Sequence, residues 1–172
     1  MRGTILIIGL MMVAGCMESK QTEFQKGALK LTSHVFNDGG SIPARYTCDG
    51  EGKSPPLKFE GVPENAQTLA LTVDDPDAPN GDFTHWVAWN IDPKTTDIDE
   101  NASPGTQGLN GFGNNGWGGP CPPMGQHRYI FKAYALDSKI NLPKNAGLKE
   151  LENAISGHIL AQTQLTGKYQ RQ

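Results

Sequence analysis

The chain has 172 residues, 37% of them hydrophobic and 19% charged, which is enough for one domain with a real core and excludes wholesale disorder. Its formal net charge is −3 with 15 basic and 18 acidic residues, so there is no basic excess to neutralise a nucleic-acid backbone. Twenty-one glycines and twelve prolines favour short strands joined by many turns over a helix bundle.

The first residues read as an address. Arg2 supplies a positive start, and Thr4 to Val13 is an apolar run too short to span a bilayer. Val13-Ala14-Gly15-Cys16 then places small residues before a cysteine, as in the lipobox of exported lipoproteins. On that reading residues 1–15 are a signal peptide, Cys16 is the lipidated new N-terminus, and Met17 to Gly27 is a polar tether. The expected location is the cell envelope, with the membrane reached through the lipid. An ordinary secretory signal that contains a cysteine is the alternative.

The remaining residues, 28–172, read as one domain without internal repeats. Alternation at Leu29, Leu31, Ser33 and Val35 predicts a first strand, and Asn37 to Pro56 is rich in turn residues. Thr68 to Val73 predicts a second strand and Asp74 to Asp82 a loop. Phe83 to Ile91 is the clearest strand, with Phe83, His85, Val87, Trp89 and Ile91 on one face. Asp92 to Pro123 is long and irregular, with seven glycines between Gly105 and Gly119, and such regions in compact domains are usually functional. His127 to Leu136 is a further strand with His127, Tyr129, Phe131, Ala133 and Ala135 on one face. Leu151, Ala154, Ile155, His158, Ile159 and Gln162 follow helical spacing, which predicts a helix as the last element. The expected class is mainly β, a sandwich-like packing with a peripheral C-terminal helix.

Two strands carry a histidine on an otherwise apolar face, and each follows a loop stiffened by proline. Asp75-Pro76-Asp77-Ala78-Pro79 precedes His85; Gly118 to Gly125 precedes His127. Two imidazoles, the Tyr129 phenol and backbone N–H groups are the donors an anionic oxygen needs. Asp75 and Asp77 fit beside them if one orients a His ring and the other braces its own loop by an Asx-type bond. A satisfied core histidine and a plain Asp-Pro-Asp turn are the structural alternatives. Cys48 and Cys121 are either bridged, which an oxidising compartment allows, or two buried thiols.

The first of these segments, with His85-Trp86-Val87, resembles the first signature of the phosphatidylethanolamine-binding protein family. Gly119-Pro120-Cys121-Pro122-Pro123 followed by Gly125-Gln126-His127-Arg128-Tyr129 resembles the second. Ile42 to Gly50, Ser54 to Leu57 and Gly157 to Ala161 are similar to the shorter bacterial and archaeal, Raf-kinase-inhibitor-like branch. The resemblance implies a β-sandwich on a central antiparallel sheet and a small cavity for phosphate-like headgroups. By position its lining would be Asp75, Asp77, His85, Pro120, His127 and Tyr129. Kinase inhibition does not suit an exported lipoprotein, and the helix that closes the animal proteins has no match in this shorter C-terminal segment. The function expected is binding of a small phosphate-type anion or lipid headgroup, with no cofactor, no metal and no nucleic acid. The competing readings are a hydrolase with His85 or His127 as general base, a His/Asp metal site, and a modulator of an envelope protein. Neither a nucleophile elbow nor a P-loop is present in the sequence.

Overall fold

The computed structural model describes residues 29–172; the signal segment, Cys16 and the tether lie outside them. The strands are β1 (Lys30–Thr32), β2 (Gly40–Ser41), β3 (Leu57–Glu60), β4 (Thr68–Asp75), β5 (Phe83–Ile91), β6 (Asp97–Ile98), β7 (Thr106–Gln107), β8 (Gln126–Leu136) and β9 (Ile159–Gln170). A 3-10 turn spans Ala44–Tyr46, and one α-helix, α1, spans Leu148–Ile155. The class is mainly β, as expected.

The described strands form a small sheet, β1-β3-β6, and a large one, β2-β9-β8-β4-β5-β7. All pairs of the large sheet are antiparallel except β2 with β9 at its edge. Period-two alternation explains the layers. On one face of the large sheet Leu69, Leu71, Val73, Phe131, Ala133 and Ala135 pack with Leu31, Leu57, Phe59 and Ile98 of the small sheet. On the other face Ala70, Val87, Trp89, Tyr134 and Leu136 pack with Leu151 and Ile155 of α1. Each such fully buried large aliphatic or aromatic side chain contributes about 1.5–3 kcal/mol relative to exposure. The central strand β4, buried along its whole length, is therefore the spine of two cores.

Two departures from the sequence pattern follow from backbone irregularities. In β5 the residues Val87 and Trp89 face α1, whereas Ile91 joins Leu69 in the inter-sheet core. Asn90 has φ +55° and the pairing shifts there, which turns Ile91 to the opposite face. A second shift lies at His85: Val73 pairs with Trp86 and the next residue, Asp74, with Thr84, so His85 is the extra residue. The predicted single face Phe83-His85-Val87-Trp89-Ile91 is thus divided.

The helix is not the last element. It stops at Ile155, Gly157 takes φ +83°, and β9 runs on from Ile159 to Gln170 beside β8. Leu151 and Ile155, one turn apart, bury the helix's inner face, and the Glu150 carboxylate accepts the Gly147 N–H at its start. His158, Ile159 and Gln162 continue the helical spacing only by coincidence. Positive φ at Gly157 ends the helix, and Ala161, Leu165, Gly167 and Tyr169 are buried at strand spacing.

Candidate functional site

β4 and β8 are adjacent antiparallel strands, and their ends bring Asp75 and His127 together. Nδ1 of His127 donates to Asp75 Oδ2 at 2.7 Å, and both side chains are buried. Asp75 Oδ1 accepts the Asp77 N–H at 2.9 Å. Asp75 therefore makes the Asx-type turn itself while orienting the imidazole, the two tasks that the sequence pattern divides between Asp75 and Asp77. The strand runs on to Asp75, so the loop begins at Pro76 rather than at Asp74.

His85 reaches the same place through its bulge. Its Nδ1 lies 2.6 Å from the Gly118 carbonyl, and a carbonyl only accepts, so the ring proton is on Nδ1. Gly118 in turn donates its N–H to the His85 carbonyl at 2.8 Å. A Cβ at 118 would come within 2.5 Å of the Phe112 ring, so a side chain there would force that ring to move. The His85 ring sits edge-on to Phe83, Phe112 and Tyr129, at centroid distances of 5.2, 5.6 and 5.1 Å. Burial in these aromatic surroundings lowers the His85 pKa, against the opposing pull of the Gly118 carbonyl and the Asp75 charge.

His85, His127 and Asp75 line a pocket of about 190 Å³, closed by Phe83, Phe112, Ala78, Pro79, Pro123 and Cys121. That volume is below the ~300–1,000 Å³ of pockets for drug-sized ligands. Phe112 and Met124 beside it are the exposed large hydrophobic side chains of the described residues. With Nδ1 of each ring engaged inside the protein, Nε2 is the nitrogen left to a ligand. Neither Nε2 is bonded to a described residue.

The other expected lining residues are placed differently. Asp77 does not face the pocket: its carboxylate accepts from the Arg128 backbone N–H, Nε and Nη2 at 2.9, 2.9 and 2.7 Å. Those bonds to Arg128 hold the Asp77 pKa down to about 2. Pro120 is buried behind the lining, where its carbonyl accepts the Cys48 N–H at 3.0 Å. Tyr129 is wholly buried beneath the His85 ring, and its hydroxyl has no hydrogen-bond partner among the described residues. Burial first, and then the nearby Asp75 charge, push this phenol well above its ordinary pKa, so it stays protonated. The sequence pattern does not single out the pocket walls Phe83, Phe112, Pro79 and Pro123 as ligand contacts. Phe83, at the head of the bulged strand, is the one with a signal.

Cys48 and Cys121 are joined as a disulfide with Cα atoms 5.4 Å apart. It ties the chain after the 3-10 turn to the loop that forms the pocket wall. Among the described residues no group of three or more His, Cys, Asp or Glu side chains is placed to hold a metal ion.

Known proteins share this frame. The family model described as phosphatidylethanolamine-binding protein matches residues 32–170. The UPF0098 protein of Methanothermobacter thermautotrophicus is 47% identical over 150 residues, which cover 83% of this chain and 99% of that one. The one from Pyrococcus horikoshii is 45% identical over 179 residues, covering 98% and 86%. The crystal structure of a phosphatidylethanolamine-binding protein homologue from Chlamydia trachomatis is similar with a TM-score of 0.82 and 41% identity, covering 84% of this chain and 99% of that one. That of Escherichia coli YbcL, described as a member of the mammalian family, has a TM-score of 0.79 and 31% identity over the same shares. With its two sheets, its paired histidine strands and these likenesses over most of its length, the chain belongs to the phosphatidylethanolamine-binding protein family.

Proposed function

We propose that the pocket binds a small oxyanion, the phosphate group of a phosphate ester or of a lipid headgroup. The observation that carries this reading is the pair of imidazoles that line one cavity, their Nδ1 atoms fixed by Asp75 and Gly118 and their Nε2 atoms without a described partner. The Asp75 carboxylate holds the His127 ring by Nδ1 and leaves Nε2 for a ligand, and a hydrogen bond to a charged group is worth about 1.5–3 kcal/mol. The cavity of about 190 Å³ is on the scale of a phosphate group rather than of a whole lipid. Calorimetry with inorganic phosphate tests it: His127→Ala and His85→Ala should each weaken binding about ten- to a hundredfold. Unchanged affinity in both would end the anion reading, and binding that disappears with a chelator would favour a metal site.

The Asp75–His127 pair is also the geometry of an oriented general base, which favours a hydrolase as the second reading. Among the described residues the pocket lining holds no Ser, Thr or free thiol, so the nucleophile would be water or one of the lining His and Asp side chains. Phosphatase turnover lost in His127→Ala would support it.

The same proposal includes the address. Val13-Ala14-Gly15-Cys16 supports lipidation at Cys16, which would hold the pocket near a membrane of the envelope. Cys16→Ser should move the protein from the membrane to the soluble fraction. A wild type already soluble and without lipid would refute it.

A further inference from the structure

β9 holds a long open edge. β8 pairs with it along its whole length on one side, but on the other β2 covers only Gly167 and Lys168. The caps show which way the main-chain groups face. Thr166 donates its N–H to Asp38 Oδ1 at 2.8 Å and accepts the Gly39 N–H at 2.7 Å, and the Lys168 carbonyl accepts the Ile42 N–H at 2.8 Å. Thr166 and Lys168 thus turn away from β8. The register of β9 on β8 is unbroken from Ala161 to Gln170, and main-chain groups alternate sides along an antiparallel pair. Gln162 and Gln164 therefore turn N–H and C=O to the same outer side, where no described residue bonds them.

Sheets blunt such edges with short strands, charges or proline. The other edge strands comply: β2, β6 and β7 have two residues each, and β1 has three with Lys30 among them. The stretch Ala161-Gln162-Thr163-Gln164-Leu165 carries neither charge nor proline. Ala161 and Leu165 are buried toward the small sheet, while Gln162 and Gln164 are exposed on the opposite face. Asp38 and Gly39 close the edge at Thr166, so an added strand is confined to the stretch before it. The strand that suits this stretch is the stretch itself. With a two-fold axis at Thr163, Gln162 lies opposite the partner's Gln164, each exchanging N–H and C=O with the other. Carboxamides both donate and accept, threonines face one another favourably across strands, and no like charges are opposed. An acidic or basic peptide finds no counter-charge on this stretch.

We infer that two copies of this chain join edge to edge through Ala161–Leu165 of β9, antiparallel, making one sheet continuous across both. Gln162 and Gln164 stand beside Tyr134 and Lys132 of β8, well along the strand from His127, so the pocket stays open in the pair.

The test is sedimentation of the full chain carrying Cys16→Ser, which leaves no lipid to gather copies. Monomer should give way to dimer as the concentration rises through the micromolar range. Gln162→Glu with Gln164→Glu opposes like charges across the axis and should weaken association on the order of tenfold. Gln162→Lys with Gln164→Glu opposes unlike charges instead and should restore it. An acid at 164 suits the fold, because that position pairs with Lys132 inside the chain. In the wild type, hydrogen exchange at the Gln162 and Gln164 amides should slow as the dimer fills. A chain monomeric throughout overturns the inference. So does a dimer that the double Glu variant leaves intact, or one in which these amides exchange as fast as in the monomer. Slow exchange at both amides in the monomer would assign the edge to residues 17–28 of the same chain and overturn it too. Should a variant not fold, the wild-type exchange decides alone.

Discussion

His127 Nδ1 and Asp75 Oδ2 lie 2.7 Å apart across the ends of two neighbouring strands, both side chains buried. The pair is built by pairing register: β4 and β8 are antiparallel, and the loop after Asp75 is held by the Asp75–Asp77 bond and by Asp77 on Arg128, the residue next to His127. Removing the charge while keeping the shape isolates the role of the carboxylate. Asp75→Asn is expected to weaken phosphate binding about tenfold although it deletes a negative charge beside an anion, because the His127 ring loses the charged acceptor that orients it. Affinity raised in this variant would mean that Asp75 acts on the ligand by repulsion.

Arg128 is not a bystander on the far face of its strand. Three of its N–H groups hold Asp77, and through it the loop that follows Asp75. The Asp77 pKa is depressed to about 2 in the folded protein. A carboxylate with a depressed folded pKa adds stability that is full above its unfolded pKa, near 4, and is lost as pH falls toward 2. The difference in Tm between wild type and Asp77→Asn should therefore be present at pH 6 and close between about pH 4 and pH 2. A difference independent of pH would assign Asp77 a role other than charge.

The Cys48–Cys121 bridge spans 73 residues and fastens one wall of the pocket. Mass analysis without reductant should find the oxidised chain two hydrogen atoms lighter than the reduced one. Closing a loop of this size is worth about 4 kcal/mol in an unstrained bridge, mostly through the unfolded chain. Cys48→Ser with Cys121→Ser is expected to lower Tm by several degrees and to weaken phosphate binding, since Cys121 stands in the wall. Two freely alkylated thiols in protein from the envelope would contradict the bridge.

What the sequence conveys and what it hides follow from how local each feature is. The face of β8 from His127 to Ala135 is legible because it holds regular alternation against one core. Asp75, His85 and His127 are legible as chemistry, since polar groups on apolar strands beside rigid loops are costly unless used. The role of Asp77 is not, because its partner Arg128 lies 51 residues away and only the register brings them together. The division of β5 is hidden as well, as bulges at His85 and Asn90 arise from pairing rather than from residue type. β9 escapes the helical reading although its signals are present: a glycine stop at Gly157 and alternation from Ala161 to Tyr169. The stretch is rich in Thr and Gln, and its apolar face is sparse because it includes Gly167, where a Cβ would strike Ile42 at 2.5 Å.

Asp74, which precedes Asp75 on β4 and points away from the pocket toward Lys132, gives the last expectation. It is 4% exposed, Oδ1 has no hydrogen-bond partner among the described residues, and Oδ2 is 3.4 Å from Lys132 Nζ. Burial raises its pKa, and the Lys132 charge only partly offsets this. A carboxyl whose folded pKa is raised costs stability once the pH is above its unfolded value, and the cost disappears as acid protonates it in both states. Asp74→Asn keeps the shape and removes the buried charge, and Lys132, which is partly exposed, can turn to water. The variant is expected to have a higher Tm than wild type at pH 7, with the gain shrinking as the pH is lowered toward 4. Thermal unfolding at both pH values checks it. A lower Tm for Asp74→Asn at pH 7 would show that the Lys132 pair, despite its length, outweighs the desolvation of the carboxylate.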